Sequence, residues 1–226
     1  MQTQAPYDYV RAYYEGALAK AVAFPDVARS WQRCLAAVEG GRCLNVGCGP
    51  TFLDYLRHFK HPPTRYVGVD INRATFEFLE EAMHPTLVEA RRFTIERGVE
   101  VEHRCADVFE IEADLAGRFD CVIAVGFMAT FTGERFARLC SILHRSLIPG
   151  GRLVKATWHG PRRTAEQTAL KVKYRYDNLE ETDPSMLASR IEQAGFRLAA
   201  EQCLADLPPA YGWESIQTCV FTKAGS

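Results

Sequence analysis

The sequence predicts one α/β domain, a seven-stranded and mostly parallel sheet with helices on both faces and a helical lid at its N-terminal end. Two observations predict it. From Arg42 onward, short apolar runs alternate with longer amphipathic ones, the signature of successive βα units. The chain of 226 residues is 47% hydrophobic, enough to bury one substantial core and too short for two equal domains.

The elements follow in order. Residues 1–40 form the lid: Tyr7–Phe24 places Tyr9, Tyr13, Leu18 and Val22 at short helical intervals, and Asp26–Val38 is a second amphipathic run ending at Gly40 and Gly41. Residues 41–226 form the main domain. Its expected strands are Arg42–Val46, Tyr66–Asp70, Val99–Cys105, Cys121–Val125, Arg152–Thr157, Arg197–Cys203 and Gln217–Lys223. Helices fit between them at Phe52–Phe59, Arg73–Arg97, Gly133–Leu147 and Pro184–Ala194, the last opened by Asp183-Pro184 and closed by Gly195. The stretch 160–183 is the least regular part of the domain.

Charge and composition narrow the function. A formal net charge of −1 with interspersed signs gives no footprint for nucleic acid or anionic lipid, so the expected partner is a small molecule. No apolar run reaches the roughly 20 residues of a membrane span, and no signal-like start follows Met1, so a cytoplasmic protein is expected. Eight cysteines (34, 43, 48, 105, 121, 140, 203 and 219) show no C-x-x-C spacing and read as reduced thiols. The histidines likewise lack ligand spacing, so no metal site is expected.

The chemistry-bearing residues lie at the strand ends. Asn45-Val46-Gly47-Cys48-Gly49-Pro50 is a tight turn whose glycines let backbone approach a ligand and whose following helix points its N-terminus there. The second strand ends in Gly68-Val69-Asp70, a carboxylate about 20 residues on, where this architecture bonds a ribose diol. Ile71 follows it, and the third strand is followed by Asp107 and Val108. Position 52 is Phe52 rather than the third glycine of a dinucleotide turn, which argues against a nicotinamide enzyme.

With these residues in this order, Gly47–Thr157 resembles the Rossmann-like class I superfamily of methyltransferases that use S-adenosylmethionine (SAM), including Leu147-Ile148-Pro149-Gly150-Gly151 before the fifth strand. The resemblance implies SAM as cofactor or substrate. It also implies contacts from Gly47, Cys48, Gly49, Pro50, Asp70, Ile71, Asp107, Val108, Gly126 and Phe127, with Asp107 at the adenine amino group. The fourth strand runs into Gly126-Phe127-Met128-Ala129-Thr130-Phe131, an apolar loop without an acid, a histidine or a D/N-P-P-Y box to orient a methyl acceptor.

Three further stretches resemble nicotianamine synthases, which use the 3-amino-3-carboxypropyl arm of SAM. They are Tyr13-Tyr14-Glu15-Gly16-Ala17-Leu18, Gly47-Cys48-Gly49-Pro50 and Ala156-Thr157-Trp158-His159-Gly160-Pro161-Arg162. The large helical domain that family places before its core has no counterpart in this sequence, so an intramolecular reaction is expected. The chain is similar in this to azetidine-2-carboxylate synthases, which close the arm on itself and release 5′-methylthioadenosine.

That resemblance implies roles. Tyr14, Glu15 and Tyr176 are the candidate catalytic residues, Glu15 or a tyrosine taking the α-amine proton. Tyr9 and Tyr13 would close over the cofactor from the lid, and His159 or Arg162 would hold the substrate carboxylate. Further rings that could enclose the sulfonium are Phe131, Trp158 and Tyr174. Two alternatives stay open: methyl transfer to a small molecule with release of S-adenosylhomocysteine, and SAM binding without turnover.

Overall fold

Strand β1 (Arg42–Val46) is buried along four of its five residues, as a strand covered on both faces must be. This computed structural model of the chain describes residues 7–23, 29, 35–36, 41–50, 55–56, 59–81, 97–159, 184–207 and 215–224. The remaining described strands are β2 (Arg65–Asp70), β3 (Glu100–Cys105), β4 (Phe119–Val125), β5 (Leu147–His159), β6 (Phe196–Leu204) and β7 (Ser215–Lys223). They form one seven-stranded sheet in the order β3-β2-β1-β4-β5-β7-β6. Strands β1 to β5 pair in parallel, and β7 runs antiparallel to both β5 and β6.

All seven expected strands are present. The order reverses beside β1, whose neighbours are β2 and β4, and a switch point of this kind opens a crevice at the carboxyl ends of the parallel strands. That crevice is where the glycine turn falls.

Among the described elements the helices are α1 (Tyr7–Ala23), α2 (Arg73–Glu81), α3 (Glu112–Leu115), α4 (Gly133–Ser146) and α5 (Pro184–Gln193), with a 3-10 turn at Met128–Thr130. Helix α4 buries Phe136, Leu139, Cys140, Ile142 and Leu143, a single stripe at helical spacing. That stripe and Leu187 and Ile191 of α5 cover the sheet face made by Leu44, Val67, Val122, Ala124 and Leu153. The opposite face presents Cys43, Tyr66, Cys121, Ile123 and Val154 to Phe76 and Leu79 of α2 and to Leu35 and Leu56. Alternation along each strand therefore feeds two cores, each buried leucine or isoleucine contributing about 1.5–3 kcal/mol.

Strand β5 begins at Leu147 rather than Arg152. Phe119 pairs with Leu147 before a register shift realigns Cys121 with Arg152, so the Pro-Gly-Gly stretch is absorbed as a bulged strand start. The edge strand β3 carries Glu100 and Glu102, which pair with Arg65 of β2, and Glu102 also pairs with Arg104. Charges along such an edge discourage pairing with another chain. Helix α2 is described to Glu81; residues 82–96 of the expected helix, like most of Asp26–Val38 and Phe52–Phe59, lie outside the described residues, and Arg97 falls in a turn.

Helix α1 docks on α2. Val10 and Tyr14 are buried with Ala74 and Phe78, the Tyr14 and Phe78 rings lying 5.4 Å apart and those of Tyr7 and Phe78 5.8 Å apart.

Candidate functional site

The glycine turn after β1 is built by backbone that only glycine accepts easily. Gly47 and Gly49 have φ of +57° and +56°, the left-handed region. Cys48 between them donates its N–H to Val69 O at 3.1 Å, which ties the turn to the end of β2. Its thiol is buried, and burial pushes the Cys48 pKa well above the usual range, so it packs as a small apolar group. Pro50 is buried behind the turn.

Asp70 completes the crevice from the neighbouring strand. Its Oδ2 accepts the Gly49 N–H at 2.9 Å and its Oδ1 accepts the Asn72 N–H at 2.8 Å. Burial raises the Asp70 pKa, and the amides of Asn72, Gly49 and Ile71 pull it back. Each oxygen retains acceptor capacity, as a carboxylate that receives a hydroxyl pair requires. Beside it Ile71 leaves 42% of its surface exposed at the strand end, an apolar surface that a ligand ring can cover.

Strand β3 delivers the next wall. Ala106 donates its N–H to Asp70 O at 2.9 Å, and Asp107 Oδ1 accepts the Phe109 N–H at 2.9 Å, an Asx turn that holds the loop. Val108 is buried in the core below.

Two aromatic rings sit on glycines at this edge. A Cβ on Gly47 would lie 2.1 Å from Phe127 Cδ2, so the Phe127 ring packs directly on the turn. A Cβ on Gly126, whose φ is +62°, would lie 2.8 Å from Trp158 Cζ3. Phe127 also stands edge-on to Phe131 at 4.9 Å, and Phe131 to Phe109 at 5.5 Å. Arg135 and Arg138 of α4 lie over the Phe109 ring, each 5.2 Å from its centroid. The loops after β1, β3 and β4 are thereby locked together by aromatic packing.

One buried atom at this edge calls for a donor. Asn45 donates an Nδ2 hydrogen to Tyr66 Oη at 2.9 Å, while its Oδ1 has no hydrogen-bond partner among the described residues and Asn45 is 1% exposed. A water or a ligand N–H would satisfy it. Among the described residues, no three His, Cys, Asp or Glu side chains gather to hold a metal ion, and no helix is long and apolar enough to cross a membrane.

Of the residues singled out from sequence, Gly47, Cys48, Gly49, Pro50, Asp70, Ile71, Asp107, Val108, Gly126 and Phe127 lie along the carboxyl edge of the parallel strands. The α1 residues have different surroundings. Tyr14 is 6% exposed against Phe78, Tyr13 is 52% exposed, Tyr9 is half-buried, and Glu15 forms an exposed ion pair with Arg11 at 2.9 Å. His159 ends β5, its backbone paired with Ser215. Tyr174, Tyr176 and Arg162 lie outside the described residues. Sequence reasoning passed over Lys155, a lysine inside an apolar run that the fold buries completely.

The model of a family described as "Methyltransferase domain" matches residues 19–201. No curated protein matches the chain. Among solved structures, the chain is similar to the 1,6-didemethyltoxoflavin-N1-methyltransferase of Burkholderia thailandensis, which holds 1,6-didemethyltoxoflavin and S-adenosylhomocysteine (17% identity, 99% of this chain and 92% of that one, TM-score 0.60). It is also similar to the N-methyltransferase NodS of Bradyrhizobium japonicum WM9 in complex with S-adenosylhomocysteine (11%, 88% and 86%, TM-score 0.59). A third similar structure is the [4+2]-cyclase SpnF (17%, 86% and 80%, TM-score 0.57). At these identities the likeness is one of fold.

Proposed function

The chain belongs to the methyltransferase-domain family and uses SAM, and from that premise we propose that it draws on the 3-amino-3-carboxypropyl arm, closing it to azetidine-2-carboxylate and releasing 5′-methylthioadenosine. The observation that carries this reading is the pair of rings on the pair of glycines. Phe127 packs on Gly47 of the glycine turn and Trp158 on Gly126 at the end of β4, so apolar, aromatic surface lines the edge where the amino-acid end of SAM would lie. Such surface stabilises a sulfonium by about 0.5–2 kcal/mol per ring and excludes water from the reacting carbon.

The residues in place suit SAM. Asp70 offers its carboxylate to the ribose hydroxyls, Ile71 flanks the adenine with the Val108 backbone beside it, Asp107 bonds the adenine amino group, and the N–H groups of the glycine turn meet the arm. In ring closure the α-ammonium loses a proton, the nitrogen lone pair forms a bond to the γ-carbon, and the γ-carbon–sulfur bond breaks with its electrons moving to sulfur. No second substrate is needed, so folding the arm into the attack conformer supplies much of the acceleration. Tyr14, Glu15 and Tyr176 stay candidate catalytic residues at the arm, with Tyr9, Tyr13 and His159 closing around it.

Methyl transfer to a small molecule is the second reading, favoured by the family itself and by the two N-methyltransferase folds. The SpnF fold belongs to a protein named for a cyclisation, so this architecture is not tied to methyl transfer. Mass spectrometry of the pure protein with SAM alone, against an enzyme-free control, separates the readings. Enzyme-dependent methylthioadenosine with azetidine-2-carboxylate supports the cyclase. No product until an acceptor is added, and S-adenosylhomocysteine then, makes the enzyme a methyltransferase.

A further inference from the structure

Lys155 lies in the middle of β5 at 0% exposure, on the face shared with Leu153 and Thr157. Its Nζ is 2.6 Å from Gln217 Oε1 and 3.3 Å from Thr157 Oγ1. Gln217 Nε2 donates in turn to Glu201 Oε1 at 2.6 Å. That last bond fixes the amide, because Nε2 must face the carboxylate and Oε1 must then face the lysine.

Among the described residues an ammonium placed here hydrogen-bonds only neutral oxygens, an expensive arrangement in a dry core. Burial pushes the Lys155 pKa down, against the opposing pull of Cys219 on β7 and Glu201 on β6, while β4 presents Ala124 opposite it. A methionine would fill the same space without that cost, so packing does not account for the lysine. Lys155 Nζ donates to both Gln217 Oε1 and Thr157 Oγ1; as a neutral amine it keeps a lone pair that can receive the Thr157 hydrogen once that hydroxyl turns toward it.

Thr157, 3% exposed, lies next to the site's edge. The Gly126 N–H bonds Ala156 O at 2.9 Å, so Thr157 stands one residue beyond the end of β4, at the carboxyl edge where the parallel strands deliver the site. We propose that Thr157 and Lys155 form the proton-accepting pair of this enzyme, Thr157 touching the substrate and Lys155 positioning and relieving it. The inference rests on the reading that the chain turns over SAM, but not on which carbon reacts. Ring closure releases one proton, and so does methyl transfer to an N–H or O–H acceptor.

In the step, the substrate N–H or O–H bond breaks as its proton passes to Thr157 Oγ1, and the threonine's own hydrogen passes to Lys155 Nζ. The hydroxyl is remade and the amine becomes an ammonium, held by Gln217 with the Glu201 charge behind it. That ammonium returns its proton to water when product leaves.

The test compares Lys155→Met, Thr157→Val and Thr157→Ser with the wild type, reading SAM affinity by calorimetry, turnover by mass spectrometry and the pH–rate profile. Lys155→Met is expected to fold and to bind SAM within about 2-fold of wild type, with turnover reduced about 100-fold and without the limb that rises with pH. Thr157→Val loses turnover to a similar extent and Thr157→Ser keeps it within about 5-fold. Turnover by Lys155→Met or Thr157→Val within about 3-fold of wild type overturns the pair. Equal loss in Thr157→Ser and Thr157→Val overturns it too, whether or not Lys155→Met folds. A wild-type protein that leaves SAM untouched with every acceptor overturns the functional reading itself, a different result from active wild type with active variants.

Discussion

Asp70 and Gly49 are joined across two strands, the Asp70 Oδ2 accepting the Gly49 N–H at 2.9 Å. The bond makes the carboxylate both a brace for the glycine turn and a ribose acceptor. Asp70→Ala is therefore expected to weaken SAM binding about 10- to 100-fold, the usual cost of losing hydrogen bonds to a charged group. Calorimetric titration checks it, and unchanged affinity would place the ribose elsewhere. Burial raises the folded-state pKa of Asp70, so ionising it costs stability as the pH rises from its ordinary 3.8 through the raised value. Asp70→Asn removes that dependence.

Gly47 and Gly49 share a conformation and differ in surroundings, so the same substitution separates backbone from packing. Gly49→Ala has nothing within 4 Å of its new carbon and pays only for its left-handed φ, about 1–2 kcal/mol. Gly47→Ala pays this and also drives into the Phe127 ring. Thermal unfolding should show the larger loss for Gly47→Ala, at about 2–4 °C per kcal/mol for a chain of this size. In Gly47→Ala with Phe127→Ala part of the loss should return, since the two changes share one contact. Strict additivity would mean that the ring moves aside freely.

The juxtaposition of the glycine turn with Asp70 was legible in the sequence because it is carried by spacing along two strands that the pattern places side by side. The strands themselves were legible for the same reason: Cys43, Leu44 and Val46 or Val67 and Val69 are apolar runs buried on both faces. What was not legible is what only three dimensions bring together. Nothing in the local pattern announces that β7 runs antiparallel between β5 and β6, or that Leu147 pairs with Phe119 across a bulge. Helix α3 has four residues, too few for a period to appear. Lys155 stands in an apolar run with no partner near it in the sequence, and the pairing of β5 with β7 supplies the Gln217 that meets it in the core.

His144, in the last turn of α4, gives stability a pH dependence of known sign. Its ring stands edge-on to Phe196 at 5.2 Å, and a Cβ on Gly195 would lie 3.0 Å from its Nε2. Burial lowers its pKa below the ordinary 6.5, and Lys223 lowers it further. The folded state thus resists the proton that the unfolded chain accepts, so this contribution is complete above 6.5 and is lost as the pH falls toward the depressed value. Unfolding temperatures between about pH 7.5 and 5.5 should decline in the wild type and flatten in His144→Gln. An equal slope in both would move the acid sensitivity to another group.

Tyr13 and Tyr14 are neighbours in α1 with opposite fates, which lets the lid be tested against simple helix docking. Tyr14 is 6% exposed against Phe78, whereas Tyr13 is 52% exposed. Tyr14→Ala should cost about 3–5 kcal/mol if α1 stays docked, less if the helix detaches and relaxes. Tyr13→Ala should change stability by no more than about 0.5 kcal/mol, as surface substitutions do. Activity then discriminates. A lid that closes over bound SAM predicts that Tyr13→Ala loses turnover while its melting temperature holds, and that SAM raises the protection of α1 from hydrogen exchange. Tyr14→Phe keeps the ring contact and removes only the hydroxyl. If it melts like wild type and loses turnover, the hydroxyl belongs to the chemistry; if it keeps both, Tyr14 serves to dock α1 on α2.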